Sequence, residues 1–269
     1  MHPLIKVENL CKRYARRGFM GAAKGLLALD RVSFTIFPAT TLAIVGESGS
    51  GKSTLALILA GLEHPTSGSI WFAEKEITNL SENELRKLRP QIQLIFQDPA
   101  NSLNSRWNAL EILLEPLVLQ NKLTRAEMRR RAYFHLERVG LSPEILKRSA
   151  NELSGGQRQR LAIARALALE PKLLILDEAL SALDCSVQAQ IANLLLDLQS
   201  SLGMTYLFIT HDLAMAAHFA DEIAVMNRGR IVEHGPAQKV LQQPGNETTR
   251  QLLAAIPRMS NATLPVPER

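Results

Sequence analysis

The sequence is poor in cysteine and has no long apolar run. Its 269 residues include two cysteines, Cys11 and Cys185, which lie far apart and form no CxxC pair. This argues against a disulfide framework and against a zinc site, and favours reduced thiols. No apolar stretch reaches the roughly 18 residues that a membrane span needs, and the first residues lack the apolar core of a signal peptide. We therefore expect a soluble protein that reaches a membrane only through a partner.

The composition is that of an ordinary globular protein. Apolar residues make up 46% and charged residues 21% of the chain, which is long enough to bury a sizeable core. The formal net charge is +5, with a local surplus at Lys12, Arg13, Arg16, Arg17 and Lys24. Such a surplus is compatible with nucleic acid, anionic lipid or nucleotide as a partner, and equally with a solvated loop.

Strands alternate with helices along the chain, which predicts a parallel α/β sheet. The buried strands are expected at Thr41–Val45, Ile92–Phe96, Leu173–Leu176 and Thr205–Ile209. Early strands at Leu4–Val7 and Val32–Ile36, and a hairpin turn at Asn227–Gly229, suggest an added antiparallel sheet. Tyr14–Leu29 has turn character. We expect a core of residues 1–97 and 156–236, a helical subdomain of residues 98–155, and a C-terminal extension of residues 237–269.

A glycine-rich loop carries the strongest chemical signal. Gly46-x-x-x-x-Gly51-Lys52-Ser53 follows a predicted strand and opens a predicted helix at Ser53–Gly61. Its glycines let backbone N–H groups face phosphate oxygens at a helix N-terminus. Lys52 is expected to reach the β- and γ-phosphates and the Ser53 hydroxyl to bind Mg²⁺. The predicted binding loop comprises Gly46, Glu47, Ser48, Gly49, Ser50, Gly51, Lys52, Ser53 and Thr54.

Two acids end an apolar strand. Asp177 and Glu178 follow Leu173–Leu176, and ligands bind at the carboxyl ends of strands in parallel sheets. We expect Asp177 to hold Mg²⁺ through water and Glu178 to act as the general base. Taken alone, the pair has a less favoured alternative, a strand cap with solvated acids.

Polar residues follow two further strands. His211 follows the strand Thr205–Ile209 and Thr210, and Gln97 follows Ile92–Phe96. His211 could reach the γ-phosphate and hold Glu178 and the water in place, while Gln97 could touch Mg²⁺ or the water. Each is weak evidence alone, since a single histidine is more often structural and Gln97 could be a plain loop residue.

A second candidate phosphate-binding loop lies at Leu153–Gln157. Ser154, Gly155, Gly156 and Gln157 precede a helix that is expected to begin near Arg158. A helix N-cap with a flexible lead-in explains these residues equally well. Because the chain has one phosphate loop, a second loop that reads phosphate implies binding to the nucleotide of another subunit.

These motifs resemble those of the ATP-binding cassette (ABC) ATPases, over nearly the whole chain. The resemblance implies a RecA-like P-loop NTPase core with an antiparallel β subdomain and an inserted helical subdomain, in one ABC domain of about residues 4–250. It also implies ATP and Mg²⁺ as cofactors and the catalytic roles given above for Lys52, Gln97, Glu178 and His211. Tyr14 matches the residue whose ring stacks on adenine, and Ser181–Asp184 matches the loop that connects two sites across a dimer.

A finer resemblance is to the ATPases of peptide and nickel importers. It rests on Phe96-Gln97-Asp98-Pro99 with Ser102-Leu103-Asn104, on Ser186–Gln190 and on the insertion at Tyr14–Leu29. Ala179-Leu180 replaces the Pro-Thr of many relatives, without removing a reacting group. No cysteine follows Cys185, so the iron–sulfur segment of some peptide-transport ATPases is not expected, which tilts the expected cargo slightly from oligopeptide toward nickel or another small cargo.

The resemblance implies an ATP-hydrolysing subunit that energises a membrane importer of nickel or a metal chelate, with dipeptide or oligopeptide import as the alternative. Expected partners are a second ABC ATPase, two transmembrane permease subunits and, indirectly, an external solute-binding protein. The second ATPase is either another copy of this chain or a different chain, and the subgroup resemblance favours the different chain. The expected location is peripheral, on the cytoplasmic face of the inner membrane. A nucleic-acid-linked ATPase is less favoured and no nucleic-acid partner is expected, because no coiled-coil insert, zinc module or tandem cassette is present.

Overall fold

The structure, a computed structural model, describes residues 2–16, 23–97 and 103–255. Within these ranges the chain forms ten strands and nine α-helices. The strands are β1 (Ile5–Arg16), β2 (Ala23–Ile36), β3 (Thr41–Val45), β4 (Ser67–Phe72), β5 (Lys75–Glu76), β6 (Ile92–Ile95), β7 (Leu173–Asp177), β8 (Thr205–Thr210), β9 (Glu222–Asn227) and β10 (Arg230–Pro236). The helices are α1 (Lys52–Leu59), α2 (Glu82–Leu88), α3 (Ala109–Gln120), α4 (Arg125–Arg138), α5 (Gly155–Leu167), α6 (Cys185–Leu202), α7 (Leu213–Phe219), α8 (Ala237–Gln242) and α9 (Glu247–Ala254).

The chain divides into two compact units, residues 1–89 with 205–269 and residues 90–204. In the first unit, β3 pairs in parallel with β8 on one side and β9 on the other, and β10 runs antiparallel to β9. All five residues of β3 are buried, as its unbroken apolar run predicts for a parallel strand covered on both faces. Helix α7 packs against β3 and β8, where the Phe219 and Phe208 rings meet edge to face at 4.6 Å between centroids.

The first unit also contains an antiparallel sheet in the order β2–β1–β4–β5. Here the turn character expected for residues 14–29 is wrong in part, because β1 continues to Arg16 and β2 begins at Ala23. Tyr14 pairs with Leu26 through main-chain atoms, while the Leu26 side chain is 67% exposed. Where two paired strands bury few side chains, their sequence need not alternate between apolar and polar residues, so the pattern that predicts a strand is weak there. Residues 17–22 lie outside the described ranges.

The second unit combines the parallel pair β6 and β7 with a helical part in which α3, α4 and α5 contact one another. Helices α3 and α4 lie within the helical subdomain that the sequence predicts at residues 98–155. Helix α5 begins at Gly155 rather than near Arg158. Short 3₁₀ helices at Pro143–Lys147 and Ala150–Glu152, which the periodicity did not predict, lead into it.

These features confirm the expected fold class, an α/β P-loop NTPase cassette with an antiparallel sheet and a helical subdomain. The expected domain limits, at residues 97, 155 and 236, stay predictions. Helices α8 and α9 lie in the predicted C-terminal extension, whose residues 256–269 fall outside the described ranges. No helix within the described part of the chain is long and apolar enough to cross a membrane.

Candidate functional site

The glycine-rich loop links β3 to α1, and main-chain sterics demand its glycines. A β-carbon at Gly46 would lie 2.2 Å from the Met226 carbonyl oxygen, and one at Gly51 would lie 2.3 Å from the Ala28 carbonyl oxygen. Gly51 also has φ +107°, a backbone conformation that favours glycine. The loop therefore packs closely against the main chains of β2 and β9. A larger residue at either position would clash with a carbonyl oxygen and change the conformation of the loop.

The chemistry of the loop suits a polyphosphate. Lys52 is 4% exposed, and its ammonium group donates to the carbonyl oxygens of Gly46 and Glu47, each at 2.8 Å. The charge is thus held inside the loop at the N-terminus of α1, where anions are stabilised. The Ser50 hydroxyl is buried and has no hydrogen-bond partner within the described residues. A buried cation and an unpaired hydroxyl inside one loop fit the phosphates of a nucleotide.

The β9–β10 turn orients the loop. The Gly229 N–H donates to the Ser50 carbonyl oxygen at 2.8 Å, and the Gly229 carbonyl accepts from the Asp30 N–H at 2.8 Å. Because a trans peptide is planar, a Ser50 carbonyl that points to the turn directs the Gly51 N–H to the opposite side. The sequence predicts this turn at residues 227–229, but nothing local in it shows that the turn packs on the phosphate loop.

His211 lies at the same sheet edge as the loop. Val45 of β3 and Thr210 of β8 are register partners in neighbouring parallel strands, so Gly46 and His211 both leave the sheet there. His211 is exposed, and Asp212 after it caps α7 by accepting from the Ala214 N–H at 2.8 Å. Within the first unit, the structure therefore brings the predicted histidine next to the phosphate loop.

Tyr14 lies on β1, which pairs with β2, the strand whose main chain contacts the phosphate loop. It pairs with Leu26, two residues from Ala28, whose carbonyl limits Gly51. Two residues of strand span about 7 Å. The predicted adenine-stacking residue and the phosphate loop thus lie at neighbouring points of the same unit.

In the second unit, the predicted acids end β7. Asp177 is 7% exposed, and Glu178 is half-buried with φ +47°, a left-handed conformation that is uncommon outside glycine. The Glu178 carbonyl accepts from the Ser181 N–H at 3.1 Å and from the Ser181 hydroxyl at 2.8 Å, which stabilises the turn after the strand. Leu176 pairs with Ile95 of β6, so the exposed Gln97 follows at the same edge as the acids.

The residues after this turn explain a departure from the family pattern. Ala179 and Leu180 are 1% and 3% exposed, and the Leu180 carbonyl accepts from the Gln188 amide at 3.0 Å. Apolar residues therefore suit these two positions by burial. Their substitution for Pro-Thr leaves the acidic pair itself in place.

Ser154 acts as the N-cap of α5. Its hydroxyl accepts from the Gln157 N–H at 3.3 Å, while the Gln157 side chain accepts from the Ser154 N–H at 2.9 Å. This reciprocal capping box confirms the helix-cap explanation of the second loop. A β-carbon at Gly156 would lie 2.8 Å from the Val187 side chain, so Gly156 also permits α5 to approach α6. Binding of another subunit's phosphate by Ser154 and Gly155 stays a prediction.

The Mg²⁺ assignments to Ser53, Gln97 and Asp177 also stay predictions. Across residues 2–16, 23–97 and 103–255, no group of three or more His, Cys, Asp and Glu side chains could hold a metal ion. A hydroxyl, an amide and one carboxylate are hard oxygen donors of the kind that Mg²⁺ accepts together with phosphate oxygens and water. The donor types therefore fit an ion that arrives with its nucleotide.

Comparisons with known proteins decide the family. The family model described as ABC transporter matches residues 29–181. The chain is 47% identical, over 98% of its length and 76% of the relative's, to the probable peptide ABC transporter ATP-binding protein y4tS of Sinorhizobium fredii. The chain belongs to the ABC transporter family. It is also 47% identical, over 95% of its length, to the glutathione import ATP-binding protein GsiA of Escherichia coli K12, of which it spans 41%.

A solved structure agrees with the assignment of this chain to the ABC transporter family. The ATP-binding cassette MJ0796, solved as a dimer in a post-hydrolysis state with ADP and phosphate, superposes with a TM-score of 0.77 and 32% identity, covering 87% of this chain and 98% of that one. Family membership confirms the expectation of an ATP-binding subunit and of an ATPase that is coupled to transport.

Proposed function

We propose that this ABC protein is the ATP-hydrolysing subunit of an importer for a small peptide. The observation that carries the proposal is the phosphate loop, in which main-chain oxygens of β2 and β9 enforce two glycines around a buried Lys52. The names of the relatives y4tS and GsiA supply the transport class.

The predicted site residues have the following roles in this proposal, and Tyr14 would stack on the adenine base. Lys52 and the loop N–H groups bind the phosphates, and Ser53, Asp177 and Gln97 would hold Mg²⁺, which neutralises phosphate charge when bound. Glu178 polarises the attacking water as general base. His211, at the edge from which the loop starts, orients that water and the terminal phosphate.

The proposed working unit is a dimer of cassettes. The signature residues Ser154–Gln157 would cover the nucleotide held by another cassette, and the MJ0796 cassette was solved as a dimer. An N-cap serine accepts one N–H and keeps its own proton to donate, so capping α5 and touching a phosphate are compatible. The second cassette is proposed to be a different chain.

Two permease subunits would carry the solute, and an external binding protein would deliver it to them. This places the ATPase on the cytoplasmic face of the inner membrane, held there by the permease. ATP binding that favours the closed dimer, followed by hydrolysis, would drive the permease between states.

The cargo proposal differs from the first expectation. The lack of a cysteine after Cys185 favoured nickel in the sequence analysis, whereas the relatives reported above are named for peptide transport and glutathione import. Glutathione is itself a tripeptide. The relatives therefore support the peptide alternative more than the nickel hypothesis.

Uptake of a labelled dipeptide, labelled glutathione and labelled nickel tests this proposal in cells that lack the chain. We expect loss of dipeptide or glutathione uptake, restored by the natural chain and not by Lys52→Ala. Arg125→Ala, an exposed change on α4 of the second unit at a residue with no proposed role in the site, serves as an expression-matched control. Loss of nickel uptake alone would overturn the peptide assignment, and unchanged uptake of all three would overturn the importer assignment for these solutes.

A further inference from the structure

A lysine lies against the ring of the tyrosine that is proposed to stack on adenine. Lys12 and Tyr14 are two residues apart on β1, so both side chains leave the same face of the sheet. The Lys12 ammonium nitrogen lies 4.9 Å from the centroid of the Tyr14 ring. This distance is within the range of a cation–π contact.

The ammonium group is also held by the segment at residues 63–64. It donates to a Glu63 carboxylate oxygen at 2.8 Å and to the His64 carbonyl oxygen at 2.7 Å. The Lys12 side chain is 12% exposed, so this cation is largely shielded from water. An ammonium group has three donors. Two are used by the segment at residues 63–64, so one N–H is not needed for those two bonds.

A purely structural role for this lysine would be to tie β1 to the segment before β4. That tie is already made by main-chain groups and a threonine. The Thr66 N–H donates to the Cys11 carbonyl oxygen at 2.8 Å, and the Arg13 N–H donates to the Thr66 hydroxyl at 2.9 Å. The connection between β1 and this segment therefore does not depend on Lys12 alone, whereas the cation on the Tyr14 ring comes from Lys12.

We propose that Lys12 is a positioning residue for adenine recognition, which holds the Tyr14 ring from one face and leaves the other face to the base. This inference rests on the proposed function, because it needs ATP at the phosphate loop and Tyr14 beside its base. A fixed cation on one face reduces the negative potential of the ring, so that a purine, whose own face is electron-rich, stacks better on the opposite face. Fixing the ring also reduces the side-chain entropy lost on binding.

Calorimetric titration of Lys12→Met with ATP and with inorganic tripolyphosphate tests the proposal. Methionine keeps the length and apolar stem of lysine but removes its charge. We expect the Kd for ATP to rise by about fivefold, while the Kd for tripolyphosphate, which has no base, stays unchanged. Lys12→Arg retains a cation and should recover most of the ATP affinity.

Tyr14→Ala separates the inference from the proposed function. We expect this variant to bind ATP more weakly, and Lys12→Met to have no further effect in its background. If Tyr14→Ala weakens ATP binding but Lys12→Met does not, Lys12 has no positioning role and the function stands. Equal weakening of ATP and tripolyphosphate would overturn the inference, because Lys12 would then act through the fold. If the natural chain does not bind ATP, the proposed function itself fails.

Discussion

A histidine buried in the helical part should make the protein sensitive to mild acid. His135 on α4 is 3% exposed, and neither ring nitrogen has a hydrogen-bond partner within the described residues. Burial, together with the positive charges of Arg131 and Arg138, lowers the pKa of His135 from 6.5 to about 4. The folded state therefore favours neutral histidine, while the unfolded chain takes up a proton once the pH falls below 6.5.

The sign and size follow from proton linkage. The stability that neutral His135 contributes is fully present above the unfolded pKa and is lost as the pH falls from 6.5 toward 4. The full difference corresponds to about 3 kcal/mol, of which about 2 kcal/mol should be lost by pH 5.

Urea unfolding followed by circular dichroism, at pH 8 and pH 5, measures this loss. We expect the free energy of unfolding of the natural chain to fall by about 2 kcal/mol more than that of His135→Leu. Both proteins carry the same carboxylates, so the difference isolates His135. Equal losses in the two proteins would refute the reasoning.

Three further predictions concern the site and its surroundings. Glu178→Gln should still bind ATP but stop steady-state hydrolysis, and natural turnover by this variant would exclude Glu178 as the general base. Gly156→Ala should lower the melting temperature because its β-carbon would meet Val187 at 2.8 Å, whereas Gly155→Ala, with its nearest contact at 3.6 Å, should cost far less; equal shifts would contradict this. Glu233→Gln should speed amide exchange in α9, because the carboxylate accepts the N–H groups of Gly245 and Asn246 immediately before that helix, and unchanged exchange would show that the start of the helix does not depend on Glu233.

The parts of the fold that were predictable from sequence are those that the core dictates. Thr41–Val45 was predicted to the residue because an unbroken apolar run followed by Gly46 permits few alternatives. The ribbon of β1 and β2 was missed in part because main-chain pairing holds it while side chains such as Leu26 stay in water. Helix α2 begins with a capping box at Ser81, a sequence signal of a helix start that does not depend on apolar periodicity.

The candidate site shows a similar division. The phosphate loop, the acids and the histidine follow from motifs at strand ends, which are local in sequence. The Gly229 bond to Ser50 and the Lys12 contact with Tyr14 depend on how distant segments pack. The sequence permits two explanations of Ser154, a helix cap and a contact with the phosphate of another subunit. The hydrogen bond that its hydroxyl accepts from the Gln157 N–H confirms the helix cap. The contact with another subunit stays a prediction.

The two carbonyl oxygens that confine the phosphate loop determine which positions around it tolerate amino-acid substitution. Every residue type has a carbonyl oxygen, so Ala28 and Met226 can change identity and still shape the loop, whereas Gly46 and Gly51 cannot. What the loop depends on is the alignment of β9 with β3. A slip of one residue in that pairing would remove the Met226 oxygen from Gly46. Mutations in the β9–β10 hairpin, remote from the loop in sequence, should therefore behave as nucleotide-affinity mutations.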